Sequence, residues 1–176
     1  MQRFKILILV LILLSFILPP HQWAQVEENK LKAVIIEKMI SYIKWPNGIH
    51  LRNGGITFGF IGRTPIIKYI KERANHFMVD KKPIVVRQIK ERSEIQKCTI
   101  LFISSHASGN LDNILRLTGN RPILTLADSK GFARRGVLIN LFKARGRIKF
   151  EINRSAVKRS GLKFSSNLYK LAKIVN

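Results

Sequence analysis

Residues 99–127 read TILFISSHASGNLDNILRLTGNRPILTLA, and this stretch decides the fold. Thr99–Ser104 is almost entirely apolar, too short for a buried helix and apolar on both faces, which predicts a strand inside a parallel sheet. Asn110 or Ser108 then caps a short helix that ends near Gly119, and Pro122–Ala127 forms the next strand. The order is strand, helix, strand, as an α/β sandwich requires.

Working toward the N-terminus, Pro83–Ile89 is a β-branched run and a second strand. Ile56–Gly62, ITFGFIG, is another, with Gly59 marking a close backbone approach. It follows a turn at Asn53-Gly54-Gly55. Thr64 caps a helix that has Pro65 in its first position and runs to about Asn75. Between Asn29 and Lys44, Leu31, Val34, Ile35, Met39, Ile40 and Ile43 recur at helical spacing, and Trp45-Pro46 stops that helix.

Toward the C-terminus, Val137–Phe142 and Arg147–Ile152 flank the turn Lys143-Ala144-Arg145-Gly146, which predicts an antiparallel hairpin. Ile148, Phe150 and Ile152 alternate with Arg147, Lys149 and Glu151, so one face is core and the other wet. Asn153 caps a helix through Ser160, stopped by Gly161. Ser165 begins a last helix with Leu168, Leu171, Ala172 and Val175 on one side. The fold class is α/β: a single-domain layered sandwich over 25–176, with a mostly parallel central sheet, flanking helices and a C-terminal antiparallel hairpin.

Composition bounds the function. The 32 Lys and Arg against 10 Asp and Glu give +22, a surplus that points to polyanions. Residues 1–24 read as a signal peptide: Arg3 and Lys5, then apolar Ile6–Leu18, then Pro19-Pro20. An uncleaved N-terminal membrane anchor is the alternative. Two of the 32 basic groups, Arg3 and Lys5, lie in this leader, so the rest keeps a surplus of 20. On an exported domain in the periplasm that surplus argues against nucleic acid and toward anionic lipid or envelope polymer, or toward a merely solvated surface. The single Cys98 excludes an intrachain disulfide and a Cys-cluster zinc site.

No catalytic constellation emerges, and no metal or cofactor site. Ser104, Ser105, His106 and Asp112 are close in sequence but lack a G-x-S-x-G elbow. His50, His76 and His106 are scattered. Asp128 follows a strand end, where α/β folds place sites but where turn and capping residues are commoner. Contact candidates for a partner or an anion are Trp45, set against packing into the core, and Arg63, beside a glycine turn that opens a helix. The densest basic cluster adds Arg134, Arg135, Lys143, Arg145, Arg147 and Lys149, as either an interaction face or a solvated one.

Read in order, LKAVIIEKMISYIKWP (31–46), ITFGFIG, KPIVVRQI (82–89), CTILFISS (98–105), PILTLADSKGFARRGVLINLF (122–142) and GRIKFEINRSAVKRSGLKFSSNLYKLAKIV (146–175) resemble the YfiR family. The resemblance implies an exported, non-enzymatic regulator without cofactors, which binds the periplasmic portion of an inner-membrane signalling protein. A diguanylate cyclase is the leading partner, with effects on cyclic-di-GMP and biofilm formation, and a sensor kinase is another. The family pattern also implies an outer-membrane partner of the OmpA type and a possible homodimer. The chain departs from it in cysteines: with Cys98 alone, an intramolecular disulfide switch is excluded while an intermolecular Cys98 bridge is not, and a buried, inert thiol is expected. The alternative function is a periplasmic binding module that holds an anionic envelope ligand on a basic hairpin face.

Overall fold

The computed structural model describes residues 21–46, 55–79 and 81–176; the leader up to Pro20 and the turn at Asn53-Gly54 lie outside the described residues. Helix α1 (His21–Ile40) leads into a short β1 (Ile43–Lys44). Then come β2 (Ile56–Ile61), α2 (Ile66–Ala74), β3 (Met78–Val79), β4 (Lys82–Gln88), α3 (Arg92–Ile95) and β5 (Ile100–Ile103). A 3-10 turn (Ser105–Asn110), α4 (Leu111–Thr118) and β6 (Leu124–Ala127) complete the stretch quoted first. The chain ends with β7 (Ile139–Ala144), β8 (Arg147–Asn153), α5 (Arg154–Ser160), β9 (Lys163–Phe164), α6 (Ser166–Leu171) and β10 (Lys173–Val175).

Among the described residues the central sheet has eight strands, in the order β10-β8-β7-β6-β5-β2-β4-β3. Pairs β2–β4, β2–β5, β5–β6, β6–β7 and β8–β10 are parallel, while β7–β8 and the edge pair β3–β4 are antiparallel. The mixed α/β sandwich is therefore as expected. In β5, Ile100 and Phe102 join the core under α1, α2, α5 and α6, while Leu101 and Ile103 join the core under α4 and the 3-10 turn. Burial on both faces is why that run carries no polar residue. Phe58, Phe60 and Phe102 stack with centroids 4.8 and 5.5 Å apart, each contributing about 1.5–3 kcal/mol by burial.

Gly59 is required by packing: a Cβ there would lie 2.5 Å from Cys98 Sγ and 2.7 Å from Ile89 Cγ1. Cys98 is buried and its thiol donates to the Glu94 carbonyl at 3.4 Å. Burial pushes its pKa up to about 12, so it stays a thiol at neutral pH.

Several boundaries differ from those expected. The first helix stops at Ile40 rather than Lys44, because Ile43 and Lys44 pair with Phe164 and Lys163 across the chain. The hairpin turn is two residues, not four: Ala144 pairs with Arg147, and Arg145 (φ 51°) and Gly146 (φ 72°) make the turn. Positive φ at both central residues matches the right-handed twist of the flanking strands. The last helix ends at Leu171; Val175 belongs to β10, which pairs with the free edge of β8. By contrast the Asn153 cap holds, its side chain accepting from the Ala156 N–H at 2.7 Å, and Gly161 closes α5 at φ 74°.

Candidate functional site

Helix α1 forms one wall of two depressions of opposite character. Its middle turns build the first. Lys32 Nζ lies 3.0 Å from Glu28 Oε1, one turn earlier, and 2.9 Å from Asp128 Oδ2, just past β6. Lys143 from β7 reaches Glu28 Oε2 at 3.0 Å, and Lys173 from β10 pairs with Glu151 of β8 at 2.9 Å. These groups line a cleft of about 710 Å³ together with Lys130, Arg134 and Asn140.

The loop over this cleft is held by turns. Phe132 N–H donates to the Ser129 carbonyl, Arg135 N–H to Gly131 and Gly136 N–H to Ala133. Asn153 donates its amide to the Ala133 carbonyl at 2.8 Å, and Thr125 accepts from the Leu138 N–H at 2.9 Å. Arg134 and Lys130 thus stand on a braced segment.

Lys32 is only 7% exposed, so its charge persists only through its partners. Burial works against the ammonium, but the bonds to Asp128 and Glu28 outweigh it and raise the pKa above the usual lysine range. Burial likewise works against the Glu28 carboxylate, and the bonds from Lys143 and Lys32 outweigh it, so that pKa is lowered.

The second depression is an apolar groove of about 570 Å³. Ile35, Met39 and Tyr42 line it from α1 and the residues after it, Ile148 and Phe150 from β8, and Leu168, Leu171 and Ala172 from α6 and its end. Lys38, Lys149 and Lys173 stand around it. Leu171 is 73% exposed, an unusual position for a leucine beside other apolar groups. The β1–β9 pair and the Ser165 N–H bond to the Tyr42 carbonyl at 3.0 Å tie the end of α1 to the start of α6.

The contact residues expected from the sequence do not form one patch. Arg134 and Lys143 line the charged cleft and Lys149 the apolar groove. Arg135 turns to α4, pairing with Asp112 at 2.9 Å, its guanidinium 5.9 Å over the Phe132 ring. Arg145 and Arg147 stand exposed at the hairpin end, and Arg63 is exposed between β2 and α2. Trp45 is half-buried against the main core, its indole N–H without an acceptor among the described residues.

Ser104 is buried with its hydroxyl unpartnered, whereas Ser105 and His106 are exposed, and no hydrogen bond joins these three among the described residues. No group of three metal-ligating side chains occurs among the described residues.

Glu28, Lys32, Asn140, Glu151 and Lys173 escaped the sequence reading. The signal was there in part: Glu28 and Lys32 stand four apart in a helix that otherwise turns apolar, and Asn140 interrupts VLINLF.

The family model described as YfiR/HmsC-like matches residues 29–173. The chain belongs to the YfiR/HmsC-like family. Both depressions of this YfiR/HmsC-like domain are built from residues within the matched span, apart from Glu28. No curated protein matches the chain. Among solved structures it is similar to a conserved domain protein from Vibrio cholerae O1 biovar eltor, at a TM-score of 0.55 and 9% identity. That match covers 84% of this chain and 60% of the other. It is also similar to the ABC domain in complex with L-Trp from Streptococcus pneumonia, at a TM-score of 0.54 and 10% identity, over 79% of this chain and 59% of the other. The YfiR/HmsC-like chain thus spans less than two thirds of either structure, and these likenesses establish the fold alone. No helix among the described residues is long and apolar enough to cross a membrane.

Proposed function

We propose that this protein is an exported, non-enzymatic regulator that controls a membrane-bound signalling protein, a diguanylate cyclase in the first place, by direct contact in the periplasm. Membership of the YfiR/HmsC-like family over 29–173 is the observation that carries the reading. The charged leader followed by Ile6–Leu18 supports export. The apolar groove beside Leu171 supports contact with a protein, since such grooves accept an apolar anchor inside a polar rim. Deleting the gene raises cyclic-di-GMP and biofilm in this reading, the wild-type chain restores both, and the Leu171→Asp chain restores neither while folding normally. Unchanged cyclic-di-GMP on deletion, with no membrane protein recovered by crosslinking, would sink it.

A second reading makes the hairpin a binding face for an anionic envelope polymer. It is favoured by Arg145, Arg147 and Lys149, which are exposed and have no acidic partner within 4.0 Å among the described residues. Binding of that kind weakens steeply as salt rises; salt-independent binding would count against it.

A further inference from the structure

The charged cleft has a donor surplus that its own residues do not satisfy. Its three carboxylates are all occupied: Glu28 by Lys32 and Lys143, Asp128 by Lys32, and Glu151 by Lys173. Lys130 and Arg134 line the same cleft and have no carboxylate within 4.0 Å among the described residues. Asn140 is 1% exposed, and its carbonyl oxygen accepts from the Ser129 N–H at 3.1 Å. That backbone donor fixes which end of the amide is which, and the NH2 end is left with no acceptor among the described residues in a cleft that Asn140 lines. An amide N–H that opens to the cleft with no protein acceptor is free to donate to a ligand. Each of these three cleft groups without a protein partner is a donor, two of them cationic, so a ligand that brings acceptors and negative charge matches them.

We propose that this cleft binds a small oxyanion, a carboxylate or phosphate group, through the Asn140 amide, Lys130 and Arg134. Its volume of about 710 Å³ admits a metabolite-sized molecule. This site is distinct from the hairpin tip and from the apolar groove, and does not depend on the regulatory reading. The braced 128–137 loop fixes the backbone that carries both cations before a ligand arrives, which reduces part of the ordering cost of binding.

The test titrates the full chain with inorganic phosphate and with succinate, following heat and the Asn140 side-chain amide resonance by NMR. Phosphatidylglycerol and phosphatidylcholine vesicles form the lipid arm. Saturable binding that shifts the Asn140 amide is expected. Asn140→Asp keeps the acceptor for Ser129 but replaces the free donor with a carboxylate, and weakens binding about tenfold or more, as does Arg134→Gln. The Arg145→Gln/Arg147→Gln double variant leaves it within about twofold. Binding of free phosphate or succinate marks a soluble ligand. Binding only to phosphatidylglycerol vesicles, lost in Asn140→Asp, marks a lipid headgroup in the same cleft. No saturable binding to any probe overturns the proposal, as does binding that the hairpin variant abolishes and Asn140→Asp spares. Should Asn140→Asp fold poorly, Lys130→Gln and Arg134→Gln, both at exposed positions, decide the matter.

Discussion

The charged cleft and the apolar groove share a helix, a phenylalanine and a lysine, yet they are opposite environments. Phe142 and Lys173 line both. The middle of α1 presents Glu28 and Lys32 to the cleft, and its C-terminal part presents Ile35 and Met39 to the groove. In the cleft, Lys32 and the carboxylates of Glu28 and Asp128 are largely taken from water and survive by mutual pairing, so removing Lys32 strands its partners. In the groove, apolar side chains stay partly wet, so removing an exposed one costs the fold little but can cost a partner much. One region is built as a satisfied network with a donor surplus, the other as unsatisfied surface.

The sharpest way to break the comparison is Lys32→Met. It leaves Asp128 without its cation and Glu28 with only Lys143, and is expected to lower unfolding stability in urea by about 3–5 kcal/mol. A loss below about 1 kcal/mol would mean that the network is well hydrated. Next, Leu168→Ala, at 1% exposure beneath the groove, costs about 2–4 kcal/mol. Leu171→Ala, on the same helix at 73% exposure, stays within about 0.5 kcal/mol. Equal losses in these two would show that the groove is core rather than surface.

Acid then tests the network from the other side. The Glu28 pKa is lowered on folding, so its contribution is present above the unfolded glutamate pKa and disappears as pH falls through the folded one. The stability gap between wild type and Glu28→Gln is accordingly full at neutral pH and closes in acid. Lys32, with a raised pKa, contributes fully below the ordinary lysine range and loses that contribution only as pH rises through its folded value. Denaturation midpoints measured against pH check both. Lys143→Gln is a small effect too: the lysine side chain is 52% exposed, and its ion pair is worth less than about 1 kcal/mol.

Legibility followed sequence distance. Asn153, Gly161 and the alternation in β8 were readable because a cap or a pleat is settled within a few residues. The apolar run at β5 was readable because burial on both faces leaves one composition. Strand β1 was not, since Ile43 and Lys44 continue the helical period until β9 claims them. Strand β10 was hidden in the same way, at the end of an apparent helix beside an open sheet edge. For the candidate site, Arg134, Lys143 and Lys149 were legible as basic residues, but not which of them would be neutralised.

By itself the sequence determined the main alternation of strands and helices, the caps at Asn153, Ser165 and Gly161, the hairpin, and the family. Each depends on local periodicity or on residues in succession. Only the tertiary structure decided what the positive charge means. Lys32 meets Asp128 across 96 positions and Lys143 meets Glu28 across 115, and no local pattern encodes such meetings. An ion pair depends on distance and desolvation, and both are set when β6, β7 and α1 pack together.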